Sequence, residues 1–288
     1  MFRHARSDKV AVLMFLAPSL LGFMLFYLIP SAMGVYESFM ESAADRRFAG
    51  LEHYRELLAS ESFRKAARNT AAFTLVSVPL MIFLSLSLAM LLNRNLYIRK
   101  WLRTAFVLPL VVPAASIVLV WQILLDWNGS VNAWLSHFHW ARVDWMKTDA
   151  ARSVVIAVYL WKNIGYNLIL FLAGLQQIPR DYYETARVEG AGPFRQFRSI
   201  TLVYLTSTFF FVTIMSVINS FKVFRETYLI AGDYPHDSIY MLQHYMNNMF
   251  MSLDIPKLTA AATLMMGCIL LLVLVLFALE RRFRSFLE

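Results

Sequence analysis

Charge is scarce in this 288-residue chain. Asp, Glu, Lys and Arg make up 16% of it, against about 25% in soluble domains. There is one cysteine, Cys268, so an intrachain disulfide is excluded. It has no Cys or His at metal-ligand spacing, and its apolar surroundings predict a small buried residue. No glycine is followed by lysine, so the phosphate loop G-x-x-x-x-G-K-[ST] is absent, and with it the backbone cradle and lysine that hold ATP phosphates. No H-E-x-x-H, G-x-S-x-G or Cys/His cluster occurs. His137 and His139 flank Phe138 and offer two metal ligands at most. No catalytic residue, metal site or cofactor is therefore expected in the chain itself. The formal net charge of +8 does not point to nucleic acid, because Lys and Arg are spread over every loop rather than gathered in one block.

What the chain has in place of charge is apolar length. Hydrophobic residues make up 59%, and charge-free runs approach or exceed the ~20 residues that cross a bilayer as a helix. The runs are Val10–Ile29, Asn69–Leu92, Thr104–Leu125, Ser153–Gln177, Ile200–Phe221 and Leu258–Leu279. Only the fourth contains a charge, Lys162. Transmembrane β-strands alternate over about 10 residues and do not give such runs. The fold class predicted is all-α, a polytopic membrane protein with six transmembrane helices. The first run follows Arg3, Arg6 and Lys9 but exceeds the ~7–15 residues of a signal-peptide core, so it reads as a retained span. Pro18, Pro79, Pro109 and Pro113 lie inside spans. Proline is tolerated there when neighbours re-satisfy the freed carbonyls, and kinks are expected. Lys and Arg divide nearly evenly between the two sides. Short loops weigh more, however, and the shorter segments lie with the N-terminus, so both termini are expected in the cytoplasm. Arg46, Arg47 and Arg64 in the first outer loop count against that assignment.

Polar residues set the candidate sites. Lys162, Asn163, Tyr166 and Asn167 cluster in the fourth span, and Thr213, Ser216, Asn219 and Ser220 recur at helical spacing in the fifth. An intramembrane charge marks function by default; a snorkelling lysine or a structural ion pair is the competing reading of Lys162. Asn163, Tyr166, Asn167, Thr213, Ser216 and Asn219 are the candidate pathway-lining residues, and hydrogen bonding between helices is the alternative for them. Outside the spans, Leu51, Tyr54, Leu57 and Leu58 predict a short amphipathic outer helix within 43–68. Trp127, Trp134, Trp140 and Trp145 read as an interfacial belt or a docking surface. Lys222–Lys257 reads as an outer loop carrying Tyr228, Tyr234, Tyr240 and Tyr245.

One polar insert is too long to be a turn. Ile178–Ser199 reads IPRDYYETARVEGAGPFRQFRS. Asp181 with Glu184 three residues on fits a capping box, Gly190 a C-terminal stop, and Pro193 after Gly192 the first turn of a second helix. A surface helix–turn–helix is predicted, of the kind that receives force from a soluble partner.

The run Tyr183-Glu184-Thr185-Ala186-Arg187-Val188-Glu189-Gly190-Ala191 resembles the E-A-A-x-x-x-G loop of binding-protein-dependent ABC importer permeases. Glu184, Ala186 and Gly190 match, as do Ile200 and Leu202 of the following I-x-L-P. Thr185 stands in place of the first alanine and Val203 in place of the proline. Leu16-Ala17-Pro18-Ser19, Phe26-Tyr27-Leu28-Ile29-Pro30, Gly50-Leu51-Glu52-His53-Tyr54, Leu91-Leu92-Asn93-Arg94 and Leu172-Ala173-Gly174-Leu175-Gln176-Gln177-Ile178-Pro179 are similar to the sugar-type branch in order and spacing.

The resemblance implies a non-catalytic permease subunit of an ATP-driven importer in a bacterial-type cell membrane, for a sugar or related polar solute. It implies a second permease subunit, cytoplasmic ATPase subunits and an extracytoplasmic solute-binding protein as partners, besides membrane lipid. Tyr183, Glu184, Thr185, Ala186, Gly190 and Ala191 would form the ATPase-coupling surface, and 222–257 the region facing the binding protein. The expected organisation is 1–68 as N-terminal segment, first span and outer loop, 69–280 as a five-helix transmembrane domain, and 281–288 as a basic tail. The alternative is a stand-alone secondary transporter, which would show internal repeats or several buried ionisable groups.

Overall fold

The computed structural model describes residues 14–41, 47–94 and 97–285. Arg3, Arg6, Lys9, Arg46, the start of the first expected span and the end of the basic tail lie outside the described residues. The helices are α1 (Met14–Glu37), α2 (Glu52–Ala59), α3 (Glu61–Leu92), α4 (Arg99–Val111), α5 (Ala114–Leu125), α6 (Ser130–His137), α7 (Ala150–Gln176), α8 (Arg180–Val188), α9 (Pro193–Gln196), α10 (Thr206–Phe221), α11 (Phe224–Ala231), α12 (Leu242–Met251) and α13 (Ile255–Ser285). No strand occurs among the described residues beyond an isolated Met40–Phe48 bridge. Six helical stretches are long and apolar enough to cross a membrane, and each overlaps one of the six apolar runs.

Proline decides how each span runs. Pro79 sits inside α3, which continues for 32 residues. Pro113 breaks the expected third span in two. Val112 before it is extended at ψ 133° and Pro113 caps α5, because the proline ring disfavours helical backbone at the preceding residue. In α1 a π turn, Met24–Leu28, precedes Pro30, with Ile29 N–H bonded to Met24 O. The wider turn accommodates a residue that cannot donate.

The chain divides into two compact units, residues up to Glu61 with Met246–Gly267, and Ser62–Tyr245 with residues from Cys268 on. In the first, α2 buries Leu57 and half-buries Tyr54, whose hydroxyl meets Ser38 Oγ at 2.6 Å, while Leu51 and Leu58 stay exposed. The second carries the core, where Phe73 and Met81 of α3 meet Val155, Tyr159 and Ile164 of α7 and Ile239 and Met241. Small residues on α3 (Ala66, Ser77, Ser85, Ala89) are buried at helical spacing, which lets neighbouring backbones approach. α4 approaches α7 closest at Gly165, where a Cβ would lie 1.9 Å from the Phe106 carbonyl oxygen. Half of the apolar window of α7 is buried and none of those of α1 and α13. Cys268 on α13 is exposed, against the expectation of burial, because the apolar window of that helix has no buried residue.

Candidate functional site

Two features of the second unit carry the polar chemistry. The first is a cavity of about 640 Å³. α7 lines it with Tyr159, Lys162, Asn163 and Tyr166, residues at i, i+3, i+4 and i+7 that share one helical face. α10 adds Met215 and Asn219, and its C-terminal cap residue Lys222 follows at the same kind of spacing. The chain then breaks at Lys222–Val223 and restarts as α11, which turns Phe224, Arg225 and Glu226 toward the same space.

Lys162, the one charge in the six apolar runs, forms an ion pair with Glu226. The Glu226 side chain is 6% exposed and that of Lys162 23%. Burial of either charge alone is costly, and pairing is what makes both tolerable. The snorkelling reading of Lys162 is thereby replaced by the ion pair. Sequence reasoning placed Glu226 in an outer loop; the signal available was that an unpartnered intramembrane lysine needs a carboxylate, and Glu226 lies just beyond the fifth run.

The six candidate pathway residues divide. Asn163, Tyr166 and Asn219 line the cavity. Asn167 and Ser216 are buried and bonded to each other, Nδ2 to Oγ at 2.9 Å, joining α7 to α10. The Tyr159 hydroxyl reinforces that joint by donating to Ser216 O at 2.8 Å. Thr213 donates to Phe209 O of its own helix at 2.8 Å.

The region 222–257 is largely helical rather than a loop. Tyr245 is buried against Phe63 and Tyr234 is exposed. Asn69 anchors the approach to α12 by donating to Asp237 O and Tyr240 O at 2.6 and 3.0 Å. His244 of α12 is fully buried; its Nδ1 accepts from Met241 N–H, and Nε2 has no partner among the described residues. Burial pushes its pKa down to about 4, with the Asp233 carboxylate acting in the opposite direction. Before α7, buried Asn132 of α6 accepts from Trp145 Nε1 and from Val143 N–H, while Trp127, Trp134 and Trp140 are exposed.

The second feature is the surface loop. α8 begins at Arg180 with Pro179 at the cap position and no side-chain capping bond. The expected capping box is absent because Asp181 lies inside the first turn, where its charge favours the helix N-terminus through the dipole. The C-terminus closes as a Schellman motif: Ala191 N–H bonds to Ala186 O at 2.8 Å and Gly190 N–H to Arg187 O at 3.0 Å, with Gly190 at φ +77°. Gln196 Nε2 donates back to Ala191 O at 2.7 Å, and the Tyr183 hydroxyl meets Thr201 Oγ1 at 2.9 Å, tying α8 to the segment that enters α10. Glu184 and Thr185 are exposed, Tyr183, Ala186 and Ala191 half-buried. Val188 and Phe194 are 89% and 77% exposed. Exposed apolar side chains on two short polar helices, Val188 on α8 and Phe194 on α9, are the composition of a protein-docking surface. Behind the loop lies a cavity of about 560 Å³ lined by Asn93, Arg94, Tyr183, Arg187 and Gln196 among others.

Fold and site together define a polytopic membrane component with an exposed, rigidly closed surface helix. Residues 66–285 match the family described as binding-protein-dependent transport system inner membrane component, and the chain belongs to that family. It is 31% identical over 236 residues to the trehalose/maltose transport system permease protein MalF of Thermococcus litoralis, covering 80% of this chain and 79% of the relative. It is 29% identical over 266 residues to the sulfoquinovosyl glycerol transport system permease protein SmoG of Agrobacterium fabrum, covering 90% and 86%. The fold is that of a chain in a solved bacterial ABC transporter involved in import of the acidic polysaccharide alginate, with TM-score 0.85, 23% identity and 98% of each chain covered. The protein is thus a non-catalytic, multi-pass permease subunit of an ATP-driven importer, which replaces the stand-alone transporter.

Proposed function

We propose that this subunit imports a sugar or related polar solute, that the 640 Å³ cavity is its share of the solute pathway, and that α8 is the coupling helix. The exposed closure of α8 carries the coupling reading. A helix fixed by a Schellman turn and by the Tyr183–Thr201 contact moves as one piece with whatever seats on it. Force applied at Glu184, Thr185 and Ala186 then passes through Thr201 into α10, which lines the cavity. An ATPase subunit is the occupant of that surface, with Val188 and Phe194 as apolar anchors and Glu184 in a charge-assisted contact. A second permease encloses the other side of the pathway, and an extracytoplasmic binding protein delivers solute to the region 222–257. With six spans both termini share a side, and α8 shares it with them, so N- and C-termini face the cytoplasm. A five-helix transport domain at 69–280, preceded by 1–68 and followed by the basic tail 281–288, accords with a family match that begins at residue 66, although that match runs on to residue 285. The sugar class is supported by the trehalose/maltose relative.

The test is Gly190→Asp alongside Glu184→Lys in the reconstituted importer. Asp tolerates the left-handed region better than most residues, and Gly190 has open space where its Cβ would stand. Both variants are expected to assemble and to lose ATP-driven uptake by about tenfold or more, the equivalent of one charge-assisted contact. Normal uptake in both would sink the coupling assignment.

A further inference from the structure

We propose that the transported solute is an anionic sugar, a hydroxylated ring bearing a carboxylate or sulfonate, with Lys222 and Arg225 as the groups that receive its charge. The proposal rests on the reading of the cavity as the solute pathway.

The charge inventory of the cavity carries it. Three cations line the space, Lys162, Lys222 and Arg225, against a single carboxylate, Glu226. That carboxylate is already committed to Lys162. The side chains of Lys222 and Arg225 have no ion pair or hydrogen bond among the described residues, and both line the cavity and are exposed. An excess of two positive charges on a concave wall beside apolar helices focuses field lines and concentrates anions.

Position matters as much as count. The break between α10 and α11 at Lys222–Val223 sets both cations beside the Lys162–Glu226 pair, and Lys162 stands near the midpoint of α7. An unneutralised pair of charges at such a place disfavours a dry cavity and favours a charged occupant.

The remaining lining suits a sugar ring. Asn163, Asn219 and Gln243 offer amides to hydroxyls, and Tyr166 and Phe224 offer aromatic faces. A neutral sugar would use these alone and gain nothing from the cations. An acidic sugar uses both sets, since the planar guanidinium of Arg225 matches a carboxylate or sulfonate two oxygens at a time. The cavity volume lies within the range of small-molecule sites, about 300–1,000 Å³.

The complete importer, this chain with its own second permease, ATPase and binding protein, is reconstituted in ATP-loaded liposomes. Uptake is compared for galacturonate, digalacturonate and 6-sulfonated glucose and for their neutral parents galactose, digalactose and glucose. ATP-dependent uptake of an acidic sugar with exclusion of its neutral parent is expected. The paired substitution Lys222→Gln with Arg225→Gln should lower that uptake by about tenfold or more, and Arg225→Lys should retain more of it than Arg225→Gln. ATP-driven uptake of a neutral sugar with the acidic ones refused would overturn the proposal and leave the sugar-importer reading standing. Acidic uptake unchanged in the paired variant would overturn it too. If no sugar of either kind is driven by ATP, both this proposal and the sugar reading fail. Should the paired variant not assemble, the wild-type comparison decides.

Discussion

The hydrogen bonds that shape the surface loop close over five residues or fewer, Ala191 to Ala186 and Gln196 to Ala191, and only Tyr183–Thr201 reaches as far as 18. Around the cavity the contacts that matter join residues 49, 57 and 64 positions apart: Asn167–Ser216, Tyr159–Ser216 and Lys162–Glu226. The loop has no fully buried residue in either of its helices, whereas the cavity rests on the most buried span of the chain. Such a subunit divides its work between the two regions. The part offered to a partner is locally self-sufficient and can be displaced as a piece. The part offered to solute exists only while three helices stay in register. Substitutions at the cavity should therefore cost stability first, and substitutions in the loop should cost coupling first.

The largest effect is expected where α4 and α7 touch. Gly165→Leu drives a side chain into the Phe106 backbone, which cannot yield as a side chain would. A loss above about 5 kcal/mol is expected, because the clash is with backbone, read as failure to recover monodisperse protein from detergent. Recovery at wild-type yield and melting temperature would break the comparison.

Next comes the ion pair. Lys162→Met or Glu226→Gln alone strands a charge, and each should destabilise by about 3–5 kcal/mol. The double variant Lys162→Met with Glu226→Gln should be milder than either, because no buried charge is left over. A thermal double-mutant cycle measures this, and strictly additive losses would show that the two side chains do not interact.

His244 gives a pH signature on the α12 side of the same unit. The unfolded chain takes up this proton near the ordinary pKa of 6.5, the folded chain only near 4. The stability present above pH 6.5 is therefore lost as pH falls, mostly between 6.5 and 4, by about 3 kcal/mol in all. Melting temperatures across that window should drop in the wild type and drop less in His244→Asn. Equal slopes would exclude His244 as the source.

The smallest stability effect belongs to the loop. Gly190→Ala keeps the space but forces an L residue into φ +77°, at about 1 kcal/mol. Its melting temperature should shift far less than that of Gly165→Leu, and a comparable shift would show that the loop is as integrated as the core.

Whatever depends on neighbours a few residues apart was legible in the amino-acid order alone. The six spans follow from apolar length against bilayer thickness. The helix–turn–helix at Ile178–Ser199 follows from Gly190 and the Gly192–Pro193 step, because a positive φ and a missing donor act locally. Even so, the capping box expected at Asp181 does not form, since a cap is a single hydrogen bond whose geometry a small shift in the helix start removes. The rest depends on how the helices pack. Pro113 broke a span where Pro79 did not, and composition does not distinguish them. Asn163, Tyr166 and Asn219 face a cavity while Asn167 and Ser216 face each other, a choice made by the packing of α7 on α10. Glu226 became the partner of Lys162 only when the chain turned at Lys222 and brought together two charges 64 residues apart. A pairing over that distance is set by how helices pack, which periodicity and spacing do not encode.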